Sequence, residues 1–184
     1  MPHINIEIKA RCKDYGRIRT LLQERRADFK GTDHQVDTYF KSNYGRLKLR
    51  EGNIENNLIF YNRPDQKGPK QSDVRLMHTS HGPELKDILR DAIGVLLEVD
   101  KSREIYYIDN VKFHLDSVKD LGTFVEIEAI DTGGIPRKRL LEQCSGYMKL
   151  FGIQESDLLE ASYSDMLLAE LEKGQNRRES VKLV

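Results

Sequence analysis

Asn5-Ile6-Glu7-Ile8-Lys9-Ala10 is the stretch on which the reading of the fold turns. Extended by Ile4 and Arg11, it alternates Ile4, Ile6, Ile8 and Ala10 against Asn5, Glu7, Lys9 and Arg11. That is the period-two pattern of a β-strand with one apolar and one polar face. The polar face carries a carboxylate and an amine two residues apart, and it looks either to water or into a site.

The same parity recurs down the chain. Strand-like runs cover His34 to Lys41, Arg46 to Arg50, Asn57 to Arg63 and Asp73 to His78. In the second half they cover Leu96 to Lys101, Arg103 to Ile108, Val111 to Val118 and Thr123 to Ile130. Turns fall at Asn43-Tyr44-Gly45, Gly52-Asn53, Asp109-Asn110 and Leu121-Gly122, and a polar loop runs from Pro64 to Gln71. Asp14 can cap a helix reaching about Arg25, on which Ile18, Leu21 and Leu22 form an apolar stripe. Further helices are expected over Pro83–Ile93, Ile135–Phe151 and Ser162–Leu171. Residues 1–171 then form one domain, and the polar tail 172–184 is expected to fray or be disordered. Eight or nine strands with a few helices predict an α+β fold, an antiparallel barrel or sandwich with helices packed outside.

Bulk composition narrows the function classes. The chain has 184 residues, 38% hydrophobic and 33% charged, with 30 basic and 30 acidic side chains. A formal net charge of zero argues against a nucleic-acid-coating protein, which needs a basic excess, but permits a local basic pocket. Cys12 and Cys144 lack metal-ligand spacing and read as reduced thiols. The first residues lack the apolar run of a signal peptide and no stretch approaches a membrane span, so a cytoplasmic protein is expected.

The charges sit on single strand faces. Arg46, Lys48 and Arg50 share one, with Leu47 and Leu49 opposite; Lys101 shares one with Arg103. His114 and Asp116 oppose Phe113 and Leu115, and Glu126 and Glu128 oppose Val125, Ile127 and Ala129. In the ordinary arrangement such faces are solvated and the apolar faces meet in a core. The alternative inverts the barrel: apolar faces pack outward against helices and charged faces line a wet interior. Basic Lys48, Arg50, Lys101 and Arg103 look segregated from acidic Glu7, Glu126 and Glu128, which favours the inverted barrel. Several Lys and Arg donors suit a polyphosphate. A carboxylate pair joined by Glu7 suits a hard divalent cation that also takes phosphate oxygens.

With these residues in place, the chain resembles the CYTH superfamily of triphosphate tunnel metalloenzymes. NIEIKA (5–10) is similar to its ExExK signature; RLKLR (46–50), LIFYNRPD (58–65) and KQSD (70–73) resemble its basic strands and loop. DKSREIYY (100–107), FHLDSVKDLGTFVEIE (113–128) and ASYSDMLL (161–168) resemble its second half. The wording is closest to the class IV adenylate cyclase-like and thiamine triphosphatase branch. The resemblance implies a closed antiparallel barrel with a charged interior, Mg²⁺ or Mn²⁺ as cofactor, and a triphosphate-bearing small molecule as ligand. It implies Glu7, Glu126, Glu128 and Asp116 as metal-site carboxylates, and Lys9, Lys48, Arg50, Arg63, Lys101 and Arg103 as phosphate-binding bases. Glu7 and Lys9 are the candidates for a catalytic role. Asn5 departs from the signature, standing where the first Glu belongs; it offers a carbonyl oxygen but no charge, which favours one metal over two or a structural role.

Other residues have plainer readings. His114 reads as a tunnel-lining histidine, and Tyr39, Tyr61, Tyr106 and Tyr107 as packing groups, one of which could stack on a ring. His78 and His81 read as solvated, and Arg137-Lys138-Arg139 as an exposed first helical turn. Tyr163 and Asp165 either close one tunnel mouth or cap and pack the last helix. The expected activity is hydrolysis of thiamine triphosphate, tripolyphosphate or a nucleoside triphosphate. The alternatives are cyclisation of ATP to cyclic AMP and pyrophosphate, or binding without turnover. Neither a membrane nor a nucleic-acid partner is expected; a homodimer through an exposed edge or helix is compatible with the sequence.

Overall fold

The structure, a computed structural model, describes residues 3–80 and 83–181. Eight strands close into one antiparallel barrel: β1 (His3–Arg11), β2 (Asp28–Phe40), β3 (Arg46–Gly52), β4 (Asn57–Asn62), β5 (Lys70–His78), β6 (Val95–Ile108), β7 (Val111–Val118) and β8 (Gly122–Ile130). Around the barrel their order is β1-β5-β4-β3-β2-β6-β7-β8, and β8 pairs back onto β1. Four helices complete the fold: α1 (Tyr15–Glu24), α2 (Pro83–Ile93), α3 (Arg137–Phe151) and α4 (Tyr163–Val181).

The barrel is inverted, and sequence parity explains why. Ile6, Ile8 and Ala10 of β1 point outward, as do Phe113 and Leu115 of β7 and Val125, Ile127 and Ala129 of β8. They meet Ile18 and Leu22 of α1 and Leu140, Cys144 and Phe151 of α3 in the main core. That core lies between barrel and helices, which leaves the charged faces to the interior. Asp14 caps α1 by accepting from the Arg17 amide, and Gly152 ends α3 in the left-handed region at φ 70°. Cys12 and Cys144 are buried and unpaired.

Several boundaries differ from the sequence reading. The runs at 96–101 and 103–108 are one strand, because Ser102 keeps its place in the ladder opposite His34 and Ser117; the count is therefore eight. β2 starts at Asp28, before the expected His34, and its register shifts between Phe29 and Gly31. β5 starts at Lys70, within the expected loop, where a buried Nζ donates to the carbonyls of Gln66, Leu159 and Glu160. α4 runs past Leu171 to Val181; His81 and residues 182–184 lie outside the described residues. Not every helix stays outside the barrel. The start of α4 seals one end of the interior, where Tyr163 packs with Tyr39, Tyr61, Val99, Val118 and Phe124 in a second core. Arg46 ties this plug to β3 through Asp165, at 2.8 Å. No helix among the described residues is long and apolar enough to cross a membrane.

Candidate functional site

A cavity of about 370 Å³ occupies the barrel interior, within the range of roughly 300–1,000 Å³ typical of small-molecule sites. Lys9, Arg63, Arg103 and Tyr163 line its sealed end, and Glu7, Arg50, His114, Glu126 and Glu128 its middle. Strand register puts these groups together. Lys9 lies opposite Glu126 and Glu7 opposite Glu128 across the β1–β8 ladder. His114 lies opposite Glu126 and Lys112 opposite Glu128 across β7–β8.

Of the ten site residues read from sequence, seven line this cavity: Glu7, Lys9, Arg50, Arg63, Arg103, Glu126 and Glu128. Lys48, Lys101 and Asp116 do not. Lys48 and Lys101 both donate to Asp37 Oδ2, at 2.8 and 2.6 Å, and Arg50 donates to the same carboxylate from Nε at 2.8 Å. Asp116 is fully buried; it accepts from Arg103 at 2.6 and 2.5 Å and from the Tyr163 hydroxyl at 2.8 Å. The sign segregation expected from sequence is therefore absent: the bases of β3 and β6 have acidic partners inside the barrel. Asp37 had the right parity on β2 to reveal this, since it shares the inward face with Asp33, Gln35 and Tyr39.

Glu126 is the hub of the cavity. Lys9 lies 2.5 Å from it, Arg103 2.8 Å, and His114 Nδ1 3.0 Å. Burial alone would raise its carboxyl, but the charges of Lys9 and Arg103 and the His114 contact outweigh burial and hold it well below the usual range. Burial, aided by the positive charges of Arg103 and Lys112, pushes His114 down to about 3. The imidazole is thus neutral, with Nδ1–H donating to Glu126, while its buried Nε2 has no hydrogen-bond partner among the described residues. Burial also raises the Glu128 carboxyl to about 7, against Lys112 but with Glu126 and Glu7 adding to the rise.

His114, Glu126 and Glu128 present ligand atoms all within 4.8 Å of one another. Two carboxylates and an unprotonated imidazole can hold a divalent ion; the oxygens suit Mg²⁺ or Mn²⁺, and the nitrogen leans away from the harder Mg²⁺. A cation would also relieve the crowding that keeps Glu128 protonated. Of the four expected metal carboxylates, Glu126 and Glu128 belong to this group. Glu7 lines the same cavity but lies 3.0 Å from Arg63. From the sequence His114 reads as tunnel-lining only, because a lone histidine on an alternating strand carries no spacing signal. Lys112 and Glu55 belong to no sequence motif; they form a 2.5 Å ion pair on the cavity wall.

The chain's similarities agree with this architecture. No curated protein matches it in sequence. A protein from Pyrococcus horikoshii OT3 superposes with a TM-score of 0.71 at 22% identity, covering 88% of this chain and 98% of its own. A candidate adenylate cyclase from Vibrio parahaemolyticus gives 0.74 at 18%, covering 89% and 97%. A candidate adenylyl cyclase from Hippeastrum, described as having a dominant triphosphatase activity, gives 0.58 at 17%, covering 90% and 94%. At these identities the neighbours show the fold, a closed antiparallel barrel. The model of the CYTH domain matches residues 3–163, and the chain belongs to the CYTH domain family.

Proposed function

We propose that the protein is a divalent-metal-dependent phosphohydrolase that takes a triphosphate into the barrel and releases orthophosphate. The observation that carries this reading is the single cavity in which Lys9, Arg50, Arg63, Arg103 and Lys112 face His114, Glu126 and Glu128. Cations held in place around the cavity by the strands stabilise charge developing on a transferring phosphoryl group without reorganising. Thiamine triphosphate, tripolyphosphate and nucleoside triphosphates all carry the group this cavity would hold. The triphosphatase activity described for the Hippeastrum neighbour is consistent with the reading.

The ion pairs suggest how ligand and metal enter together. Lys9 shares Glu126 and Arg63 shares Glu7. As phosphate oxygens arrive, Lys9 and Arg63 exchange carboxylate for phosphate, which frees Glu126 and Glu7 to face a cation. His114, Glu126 and Glu128, with Glu7 beside them, would hold that ion; when bound it neutralises phosphate charge and activates the nucleophile. Arg103, gripped by Asp116, keeps its guanidinium aimed into the cavity. The sealed end beside Tyr163 holds the terminal phosphoryl group, so the rest of the ligand extends toward the open mouth.

Incubation with ATP, thiamine triphosphate and tripolyphosphate, each with Mg²⁺ or Mn²⁺, tests the proposal through the products. Orthophosphate that depends on metal is the expected result. Cyclic AMP with pyrophosphate would replace it with a cyclase, and tight binding without turnover with a sensor.

A further inference from the structure

The mouth of the cavity is built of different material from its sealed end. Asn5, Ile54, Asn57, Leu76, Tyr107 and Ile130 line it. Register fixes this layer: Asn5 lies opposite Ile130 on β8 and Ser72 on β5, and Asn57 opposite His78 on β5. Beyond Ile54 and Tyr107 the wall continues into an outer space of about 480 Å³ bordered by Asp28, Lys30 and Asp109. The cavity therefore runs from a charged floor to a half-apolar rim.

Two observations at this rim call for a ligand. Asn5 and Asn57 are only 6% and 4% exposed, yet the side-chain carbonyl oxygen of each has no hydrogen-bond partner among the described residues. A buried acceptor without a donor is costly, and native proteins retain few of them. Beside them stands apolar surface that packing does not use. Val99 and Val118 at the sealed end are 0% and 2% exposed, whereas Ile54 is 44% exposed and Leu76 is half-buried. Water can satisfy the two carbonyls but gains nothing from the apolar wall. A group with a flat apolar body and N–H or O–H donors satisfies both.

Resting on the triphosphate reading above, we propose that Asn5 and Asn57, with the wall of Ile54, Leu76, Ile130 and Tyr107, form a subsite for the organic part of the ligand. The tunnel then prefers triphosphate esters of a heterocyclic, donor-bearing alcohol over inorganic tripolyphosphate. Asn5 acquires a role of its own: where the family signature has a carboxylate, this chain presents a neutral acceptor toward the substrate's organic group. Charge makes the preference a demanding one. The free polyphosphate carries more negative charge than its ester, so attraction to Lys9, Arg50, Arg63, Arg103 and Lys112 alone would favour the inorganic ligand.

Calorimetric titration in Mg²⁺ with three ligands that resist turnover tests this: β,γ-methylene-ATP, the matching analogue of thiamine triphosphate, and imidotriphosphate. At least one organic analogue should bind about tenfold tighter than imidotriphosphate or better, and the tighter of the two identifies the ring. Asn57→Ala and Leu76→Ser should each cut that preference to below about threefold while moving imidotriphosphate affinity less than about twofold. Imidotriphosphate binding as tightly as both organic analogues overturns the inference, as does a preference that survives in both variants, or failure of all three ligands to bind. The wild-type comparison needs no variant to fold. Orthophosphate release separates the two readings: preference without release sinks the hydrolase and keeps the subsite, and release with inorganic preference does the reverse.

Discussion

Two carboxylates inside the barrel are built alike and sit in different surroundings. Asp37 receives Lys48, Arg50 and Lys101 at 2.6–2.8 Å. Glu126 receives Lys9, Arg103 and His114 at 2.5–3.0 Å. Asp37 is 1% exposed and does not touch the cavity. Burial works against its ionisation, but Arg50, Lys101 and Lys48 together hold its carboxyl well below the usual range. Glu126 lines the cavity beside Glu128, whose proton is held to about pH 7, and beside an imidazole nitrogen without a partner among the described residues. Asp37 itself is fully paired, with only Arg50 of its partners reaching the cavity, whereas the Glu126 cluster has unmet demands. An interior charge therefore marks a site only where its neighbours are left unsatisfied and open space adjoins them.

The comparison breaks most visibly at Asp37. Removing that carboxylate in Asp37→Ala leaves Lys48, Arg50 and Lys101 without their shared partner, and loss of one partner of a buried ion pair costs about 3–5 kcal/mol. Urea denaturation should show a loss of that size. Glu126→Gln keeps the side-chain shape and one acceptor oxygen; it should unfold at higher urea than Asp37→Ala yet release no orthophosphate. Equal instability in the two variants would mean that both clusters are structural.

A second contrast sets Arg63 against Lys48, which the sequence presents as equivalent basic positions. Arg63 lines the cavity and Lys48 does not. Arg63→Ala should lower kcat/KM for the hydrolysed triphosphate about a hundredfold, the scale of losing one preorganised charge from a phosphoryl-transfer site. Lys48→Ala should stay within about threefold, its effect falling on stability. Steady-state kinetics on both variants decides it, and similar losses would return Lys48 to the site.

These pairs show what the sequence could and could not disclose. Parity along a strand is local, so the faces of Glu7, Lys9, Arg50, Glu126 and Glu128 and the opposite apolar face of Ile6 and Ile8 were legible, whereas parity fits either side of the sheet and the sign segregation that favoured inversion is absent from the barrel. Depth along the barrel axis depends on the stagger between strands, which no single strand encodes. Lys48, Lys101 and Asp116 have the right face, but Lys48 and Lys101 turn to Asp37 and Asp116 is buried behind Arg103 and Tyr163, so none of the three lines the cavity. Parity shows the face of Asp37 but not its role, because its partners come from two other strands, β3 and β6. Tyr163 was ambiguous for a related reason: sequence shows a helix start, and only the closed barrel shows that this start fills one end.

The subtlest contrast is between the depressed acid of the hub and the raised acid next to it. The folded-state value of Glu128, about 7, lies above its ordinary 4.5 because burial, with Glu126 and Glu7, opposes its ionisation. The folded protein holds this proton more tightly than the unfolded chain does. That stabilisation is fully present below pH 4.5 and is lost as pH rises through 7. Glu128→Gln has no proton to lose. In metal-free protein the variant should therefore match wild type near pH 4.5 and gain on it by pH 8. The gain should be about 2 kcal/mol, discounted because the side chain is 19% exposed. Comparing urea midpoints at pH 4.5 and pH 8 cancels His114, which titrates in both proteins. Adding Mn²⁺ at pH 8 should stabilise wild type and leave the variant nearly unmoved, since a ligand stabilises only the fold that binds it. A Glu128→Gln variant that gains nothing at pH 8, or responds to Mn²⁺ as wild type does, would place the raised carboxyl and the cation site elsewhere in the barrel.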